Sequence, residues 1–286
     1  MTYYEWQKII FGRMLTEELS NLIVEQIAIA SSYLKRYVIV DLYLPKNIPD
    51  PAGLSLLLIN DGQNLHEMNY ALMVDQLLAA NQIQPLLCAG IHAGQDRRNE
   101  YGTAKALDYE KRGTKANAFN LFVLEELLPL IHIQYSIEQF RQKAYAGFSL
   151  GGLTAIDMVW NHPDIFSIAG VFSGSLWWRS TSLGSHYNDE TDRIMHAQVR
   201  EGKFFPGLRF YFTTGSLDET ADRNKNGIID SIDDTLALIE ELKKHGYDTQ
   251  YDIKYINYED GRHDIETWGR AMPGFLLWAF GGNLTG

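Results

Sequence analysis

Two apolar patterns alternate along this chain. Short, nearly continuous runs rich in Val, Ile and Leu occur at Ile23–Ala30, Tyr37–Leu44, Leu54–Asn60, Leu86–Ile91, Lys143–Ala146, Ile168–Ser173, Arg209–Thr214 and Tyr251–Ile256. Several show no polar alternation, the mark of strands covered on both faces. Helical periods fall between the later runs, at Asn117–Ile133, Leu153–Asn161, Ser231–Lys244 and Thr267–Phe280. The first holds Phe119, Phe122, Val123, Leu127 and Leu130 to one side, and Pro129 is expected to bend or end it. The third closes at His245-Gly246, a C-cap pattern. The first two strands follow each other closely, which predicts an antiparallel hairpin at a sheet edge. The alternation after them predicts an α/β fold with a mainly parallel central sheet of about eight strands flanked by helices. No repeat, low-complexity tract or Pro/Ser-rich linker interrupts the pattern, so residues 1–286 read as a single domain.

At 286 residues the chain can bury a full core, whether as one large α/β domain or two small ones. Its 45% apolar and 21% charged content is ordinary for a soluble globular protein. The net charge of −11 argues against nucleic acid or an anionic membrane as the main partner. The single cysteine, Cys88, excludes an intrachain disulfide, and its place in Leu86–Ile91 predicts a buried, inert thiol. No apolar stretch reads as long enough to span a bilayer, and Met1 to Glu5 lack a basic n-region or apolar h-region. A cytoplasmic address is expected if Met1 is the natural start, and a secreted or periplasmic one if a signal has been removed.

Candidate chemistry changes the picture at Gly147-Phe148-Ser149-Leu150-Gly151. A strand-like run precedes this segment and a helical pattern follows it, which is the context of a nucleophile elbow of the Gly-x-Ser-x-Gly type. Ser149 must sit in a strained turn, so positions two residues away cannot carry bulky side chains. The Leu150 amide then points to where an oxyanion forms.

A serine nucleophile needs a base, and the base an orienting carboxylate. His263 lies in the polar loop after the last expected strand, where the base of such a site belongs. The acid should fall between serine and histidine in sequence. Asp218 and Glu219 both follow the strand Arg209–Thr214; Asp218 is favoured, with Glu219 as its rival. A second oxyanion donor is expected after Leu54–Asn60, at Gly62 or Gln63. Trp177 and Trp178 are read as either an aromatic pocket wall or core, and Arg97 and Arg98 as pairing with Glu100.

An independent motif runs from Asp222 to Asp233 and matches a calcium loop through its sixth position. Asp222, Asn224 and Asn226 would supply side-chain oxygens, Ile228 a backbone carbonyl, and Asp230 the ninth-position oxygen. Gly227 permits the sharp turn. Asp233 stands where a bidentate Glu is usual, and no helical pattern precedes the loop. The other reading is an Asx-rich turn capping the following helix. No CxxC, HExxH, P-loop or dinucleotide Gly-rich turn is present.

With these residues in hand, the chain resembles the putative-esterase family of α/β-hydrolases, which includes esterase D, enterochelin esterases, feruloyl esterases and mycolyl transferases. The resemblance is carried by Ile59-Asn60-Asp61-Gly62-Gln63-Asn64, Arg97-Arg98-Asn99-Glu100-Tyr101, Ala146 to Gly152, His162-Pro163-Asp164-Ile165-Phe166, Ser173 to Trp178, and Gly261-Arg262-His263-Asp264. It implies Ser149 as nucleophile, His263 as base, the Asp218/Glu219 position as acid, and the amides of Leu150 and the Gly62–Gln63 turn as oxyanion donors. A small-molecule ester is the expected substrate and no cofactor is expected for the chemistry; calcium in the Asp222–Asp233 loop would be structural, because the chemistry already has its nucleophile, base and oxyanion donors. The family does not fix the substrate, and many members lack the calcium-like segment. The expected activity is serine carboxylic-ester hydrolysis. An acyltransferase or peptidase on the same scaffold, or a non-catalytic calcium-binding protein, are the alternatives.

Overall fold

The computed structural model describes residues 8–13, 19–48 and 53–282. Their strands form one sheet: β1 (Lys8–Arg13), β2 (Leu22–Ser31), β3 (Arg36–Pro45), β4 (Ser55–Asn60), β5 (Leu86–Ile91), β6 (Lys143–Phe148), β7 (Ile168–Phe172), β8 (Arg209–Leu217) and β9 (Ile253–Arg262). Their order across the sheet is β1-β2-β3-β5-β4-β6-β7-β8-β9. The pairs β1–β2, β2–β3 and β3–β5 are antiparallel, and every pair from β5 to β9 is parallel. All eight strands expected from the apolar runs are present, and β2–β3 is the edge-side hairpin. β1 is a ninth, too short and mixed in composition to stand out as a pattern.

Strands β4 to β8 are buried along nearly their whole length because helices cover both faces, whereas the edge strand β9 is mostly half-buried or exposed. On one side lie α1 (Tyr70–Ala79) and α6 (Ile265–Phe280), which bury Tyr70, Val74, Met272, Phe275 and Leu276 against Leu57, Ile59, Cys88 and Phe172. On the other lie α2 (Ala116–Tyr135), α3 (Leu150–Asn161), α4 (Ile194–Glu201) and α5 (Asp230–Lys244). Their Phe119, Phe122, Leu153, Ile156, Val199 and Leu238 close over Leu56, Leu58, Tyr145 and Phe212. Each fully buried Leu, Ile or Phe contributes about 1.5–3 kcal/mol of transfer free energy.

Pro129 does not break α2. The segment Phe122–Leu127 widens into a π-helical turn immediately before it. Proline lacks an N–H and its ring crowds the carbonyl four residues back, and the wider turn relieves both demands without ending the helix. The 20 residues of α2 are long and apolar enough to cross a membrane by length and composition alone, contrary to the expectation that no stretch would be. Its apolar face, however, is packed on the sheet. The polar segment Tyr258–Arg262, read as loop, instead continues β9 through an irregular pairing with β8. His263 therefore leaves the sheet directly.

Candidate active site

The turn at Ser149 is built by exclusion. A Cβ on Gly147 would lie 2.3 Å from the Gly151 carbonyl oxygen, and one on Gly151 would lie 2.7 Å from Asp61 Oδ2. Only glycines let β6 run this tightly into α3. Ser149 itself takes φ 55°, ψ −122°, a region L-residues rarely occupy. The surroundings hold it there. Its N–H donates to the Phe172 carbonyl at 2.9 Å, and its carbonyl accepts from the Ser175 amide at 3.0 Å.

Ser149, Ser175, Trp177, Asp218, Glu219 and His263 line a cavity of 310 Å³, together with Ser173, Gly174 and Ser231. It opens at the carboxyl ends of β6, β7 and β8, where parallel sheets place functional groups. Candidate residues from positions 149, 218 and 263 are thus brought together by topology. Trp177 forms part of the wall, whereas Trp178 is fully buried beneath it, so the two tryptophans divide the two expected roles.

His263 stands between β9 and α6. Asp264 caps α6 by accepting from the Thr267 amide at 2.9 Å, which fixes where the histidine leaves the strand. The imidazole packs edge-on against Trp268 at 5.1 Å. Trp268 stacks on Phe148 at 5.3 Å and donates its indole N–H to Ser173 Oγ at 3.2 Å. Burial holds the His263 pKa below the usual imidazole value, Asp218 works against that, and Arg97 adds to it. Burial likewise raises the Asp218 pKa, opposed by the Gly215 amide, the Ser173 hydroxyl and His263. The Gly215 N–H reaches Asp218 Oδ2 at 3.0 Å, while the buried Oδ1 has no hydrogen-bond partner among the described residues. Glu219 is different. Burial raises its pKa too, but the charges acting on it are Asp230, Asp234 and Asp218, not the histidine.

The turn after β4 approaches the elbow from the neighbouring strand. Ile59 pairs with Ala146, so Gly62 and Ser149 each follow three residues beyond matched positions. A Cβ on Gly62 would fall 2.2 Å from the Gly90 carbonyl carbon, so the turn presses directly on β5. The backbone amides of Leu150, Gly62 and Gln63 donate to no backbone acceptor among the described residues, and none of the three residues is among those lining the cavity.

Arg97 organises this corner, and sequence reasoning misassigned it. Glu100 pairs with Arg36 of β3 at 2.6 and 2.8 Å. Arg97 instead grips Asp61 with two bonds of 2.7 Å, lies over the Tyr101 ring at 5.0 Å, and reaches the Phe148 carbonyl at 3.4 Å. Asp61 and Glu100 are both nearly fully buried, and each is compensated by a bidentate guanidinium. Local spacing could not reveal partners 36 and 64 positions away. Ser173 and Ser175 were also missed as site residues, although Ser175 Oγ lies 3.4 Å from Ser149 Oγ.

The Asp222–Asp233 loop folds inward on its own polar groups. Asp222 accepts from the amides of Asn226 and Gly227 at 3.1 and 2.9 Å. The amides of Asn224 and Asn226 meet the Asp233 carboxylate at 2.8 and 3.2 Å. Asp230 departs from the expected donor set. Its carboxylate accepts from the Arg223 amide at 2.9 Å and pairs with the Arg223 guanidinium at 3.2 Å, because Arg223 is buried among Asp189, Asp230 and Asp234 and needs them. Ile228 donates its amide to Asn226 Oδ1 at 2.8 Å. Among the described residues, no group of three or more His, Cys, Asp or Glu is placed to hold a metal.

Comparison with known proteins decides the family, because the profile of the Putative esterase family matches residues 31–279. The chain belongs to that family. This esterase-family chain is 25% identical over 151 residues to the uncharacterized protein YbbA of Bacillus subtilis (strain 168), covering 51% of this chain and 60% of YbbA. Among solved structures it is similar to the enterobactin esterase of Shigella flexneri, with a TM-score of 0.65 at 21% identity, over 89% of this chain and 58% of that one. It is also similar to an IroE-like serine hydrolase from Shewanella oneidensis (TM-score 0.66, 17% identity, 90% and 80% covered) and to a ferulic acid esterase (TM-score 0.61, 17% identity, 96% and 98% covered). The chain thus spans less than two thirds of the length of YbbA and of the enterobactin esterase. The fold is that of the α/β-hydrolases.

Proposed function

We propose that this esterase-family protein hydrolyses carboxylic esters of small molecules through an acyl-enzyme on Ser149. The observation that carries the reading is the shared cavity: a serine held at φ 55° opens into the same space as His263 and Asp218. His263 takes the Ser149 proton as the hydroxyl oxygen attacks the ester carbonyl, then gives it to the departing alcohol. Water attacks the acyl-enzyme in the reverse sense and frees the acid. The tetrahedral oxyanion is stabilised by the Leu150 amide and by the Gly62–Gln63 turn, whose amides donate to no backbone acceptor among the described residues. Asp218 is the orienting acid, since it and His263 act on each other's charge while Glu219 sits among carboxylates. The Arg97–Asp61 pair holds the oxyanion turn against the elbow.

The loop at 222–233 suits a structural calcium ion. Side chains of Asp222, Asn224, Asn226 and Asp233 converge there, and hard oxygen donors of this kind suit that cation. The Ile228 carbonyl would complete the set, with Asp230 left to Arg223. The chemistry at Ser149 needs no metal in this reading.

A fluorophosphonate probe and a p-nitrophenyl ester test the proposal. The probe labels wild type at Ser149, the ester gives burst release, and Ser149→Ala loses both with kcat down by about 10⁴–10⁶. Enterobactin and feruloyl esters, set against plain acyl chains of rising length, form the substrate panel. Labelling at another serine, or full activity in Ser149→Ala, overturns the reading.

A further inference from the structure

A second polar cavity of 210 Å³ lies at the opposite end of the sheet. It is lined by residues at the amino ends of strands: Ser55 opens β4, Arg209 opens β8, and Arg141 and Gln142 lead into β6. The carboxyl end of α6 closes it. Strand β6 alone, at about 3.3 Å per residue, puts roughly the length of six residues between this cavity and Ser149.

Part of the lining is explained by helix capping. Arg209 Nη2 donates to the Trp278 carbonyl at 3.0 Å, and Gln142 Nε2 to the Ala279 carbonyl at 2.8 Å. These bonds satisfy orphan carbonyls of α6. Capping leaves three things unexplained. Ser55 Oγ is fully buried, with no hydrogen-bond partner among the described residues. Arg141 makes no salt bridge or side-chain hydrogen bond among the described residues, and Arg209 makes no salt bridge either. Arg209, lying over Trp278 at 4.0 Å, has also committed one N–H of the five a guanidinium carries. Among the described residues Arg98, Arg179 and Arg262 also lack a salt bridge, and Arg209 feels the Asp252 charge from beyond salt-bridge distance; what sets this cavity apart is that two such guanidinium groups meet beside a buried, unbonded hydroxyl.

We propose that this cavity binds a small tetrahedral oxyanion, phosphate or sulfate, between Arg141, Arg209 and Ser55. Two full positive charges outweigh the roughly half negative charge at the end of α6, whose carbonyls are in any case already capped. The volume, several times the roughly 30 Å³ share of one water, admits such an ion. Bound there, the anion would clamp the start of β4 and β8 to the end of the helix that begins beside His263.

The test titrates the full chain with sodium phosphate, and separately with sodium sulfate, at 0–10 mM. Ionic strength is fixed with sodium chloride so that screening and surface exclusion do not imitate binding. Saturable calorimetric heat is expected, with a Tm rise of about 2–5 °C once phosphate exceeds its Kd tenfold. Arg141→Gln, at an exposed position whose side chain makes no bond among the described residues, should weaken binding at least tenfold with unchanged Tm in chloride; Ser55→Ala should weaken it less. A phosphate response that survives Arg141→Gln, that chloride reproduces, or that never saturates overturns the proposal. So does binding that appears only after truncation at Gly282, for then residues 283–286 fill the cavity. Labelling of Ser149 by the fluorophosphonate probe is independent of every one of these outcomes.

Discussion

The elbow at Ser149 and the Asx-rich loop at 222–233 are both short motifs with glycine at a forced position, yet opposite forces shape them. Around Ser149 the backbone is pinned by distant strands: Gly151 against Asp61, Gly62 against Gly90, and the Ser149 amide on the end of β7. The loop is held mainly by its own side chains, and Gly227 at φ 85° has nothing within 4 Å of where a Cβ would be. One turn is a product of the whole sheet. The other is a nearly self-contained knot on its surface. A motif of the first kind is informative because little else can satisfy so many neighbours, whereas a motif of the second kind can form whether or not an ion is present.

The comparison breaks most visibly at the acid. Asp218→Asn should lower kcat by about 10³–10⁴, because the histidine loses the partner that fixes its tautomer. Glu219→Gln should cost less than tenfold; the reverse ranking, from steady-state kinetics on one ester, transfers the role to Glu219. Next in size is glycine replacement. Gly147→Ala forces a Cβ onto the Gly151 carbonyl and should destabilise by about 3 kcal/mol or more. Gly227→Ala meets only the left-handed backbone penalty, about 1–2 kcal/mol. Chemical denaturation of the two variants reads the difference, and equal losses would mean the elbow is less constrained than its contacts indicate.

A smaller effect concerns pH. Burial lowers the His263 pKa, so the neutral base persists to lower pH than an ordinary histidine would allow. The acid limb of kcat/KM should therefore fall below the usual value of about 6.5 and move upward when Trp268 is replaced by a smaller residue that admits water. An unshifted limb in that variant assigns the titration elsewhere. The smallest effect belongs to the loop. Calcium should raise the Tm by about 2–4 °C relative to excess chelator, and Asp222→Ala should abolish the difference. Identical melting in both conditions reduces the segment to a helix-capping turn.

How much of this was legible beforehand depended on the range of the interactions. Continuous Val/Ile/Leu runs such as Leu54–Asn60 reveal themselves because burial on both faces requires them. The elbow was equally legible, since its glycines are demanded within five residues. Helices α1 and α4 were not picked out; α4, Ile194–Glu201, mixes Met195 and Val199 with His196, Gln198 and Arg200. The same holds for the pairs. Arg97 sits three residues from Glu100, and only the fold sends one to Asp61 and the other to Arg36. Loop spacing makes Asp230 a ligand, while the buried Arg223, seven residues earlier, has the stronger claim on it.

The Cys88 thiol gives the molecule a built-in clock. It lies wholly inside the sheet, 2.9 Å from the Tyr70 hydroxyl, and burial pushes its pKa up to about 12. It is the thiolate that attacks thiol reagents, so the native chain should be silent to them near neutral pH. With one sulfhydryl per chain, and reagent concentrated enough that modification outpaces reclosing, each modification event counts one opening of the layer between β5 and α1. The plateau that the rate of colour release reaches with rising aromatic disulfide would time that opening, without any engineered label.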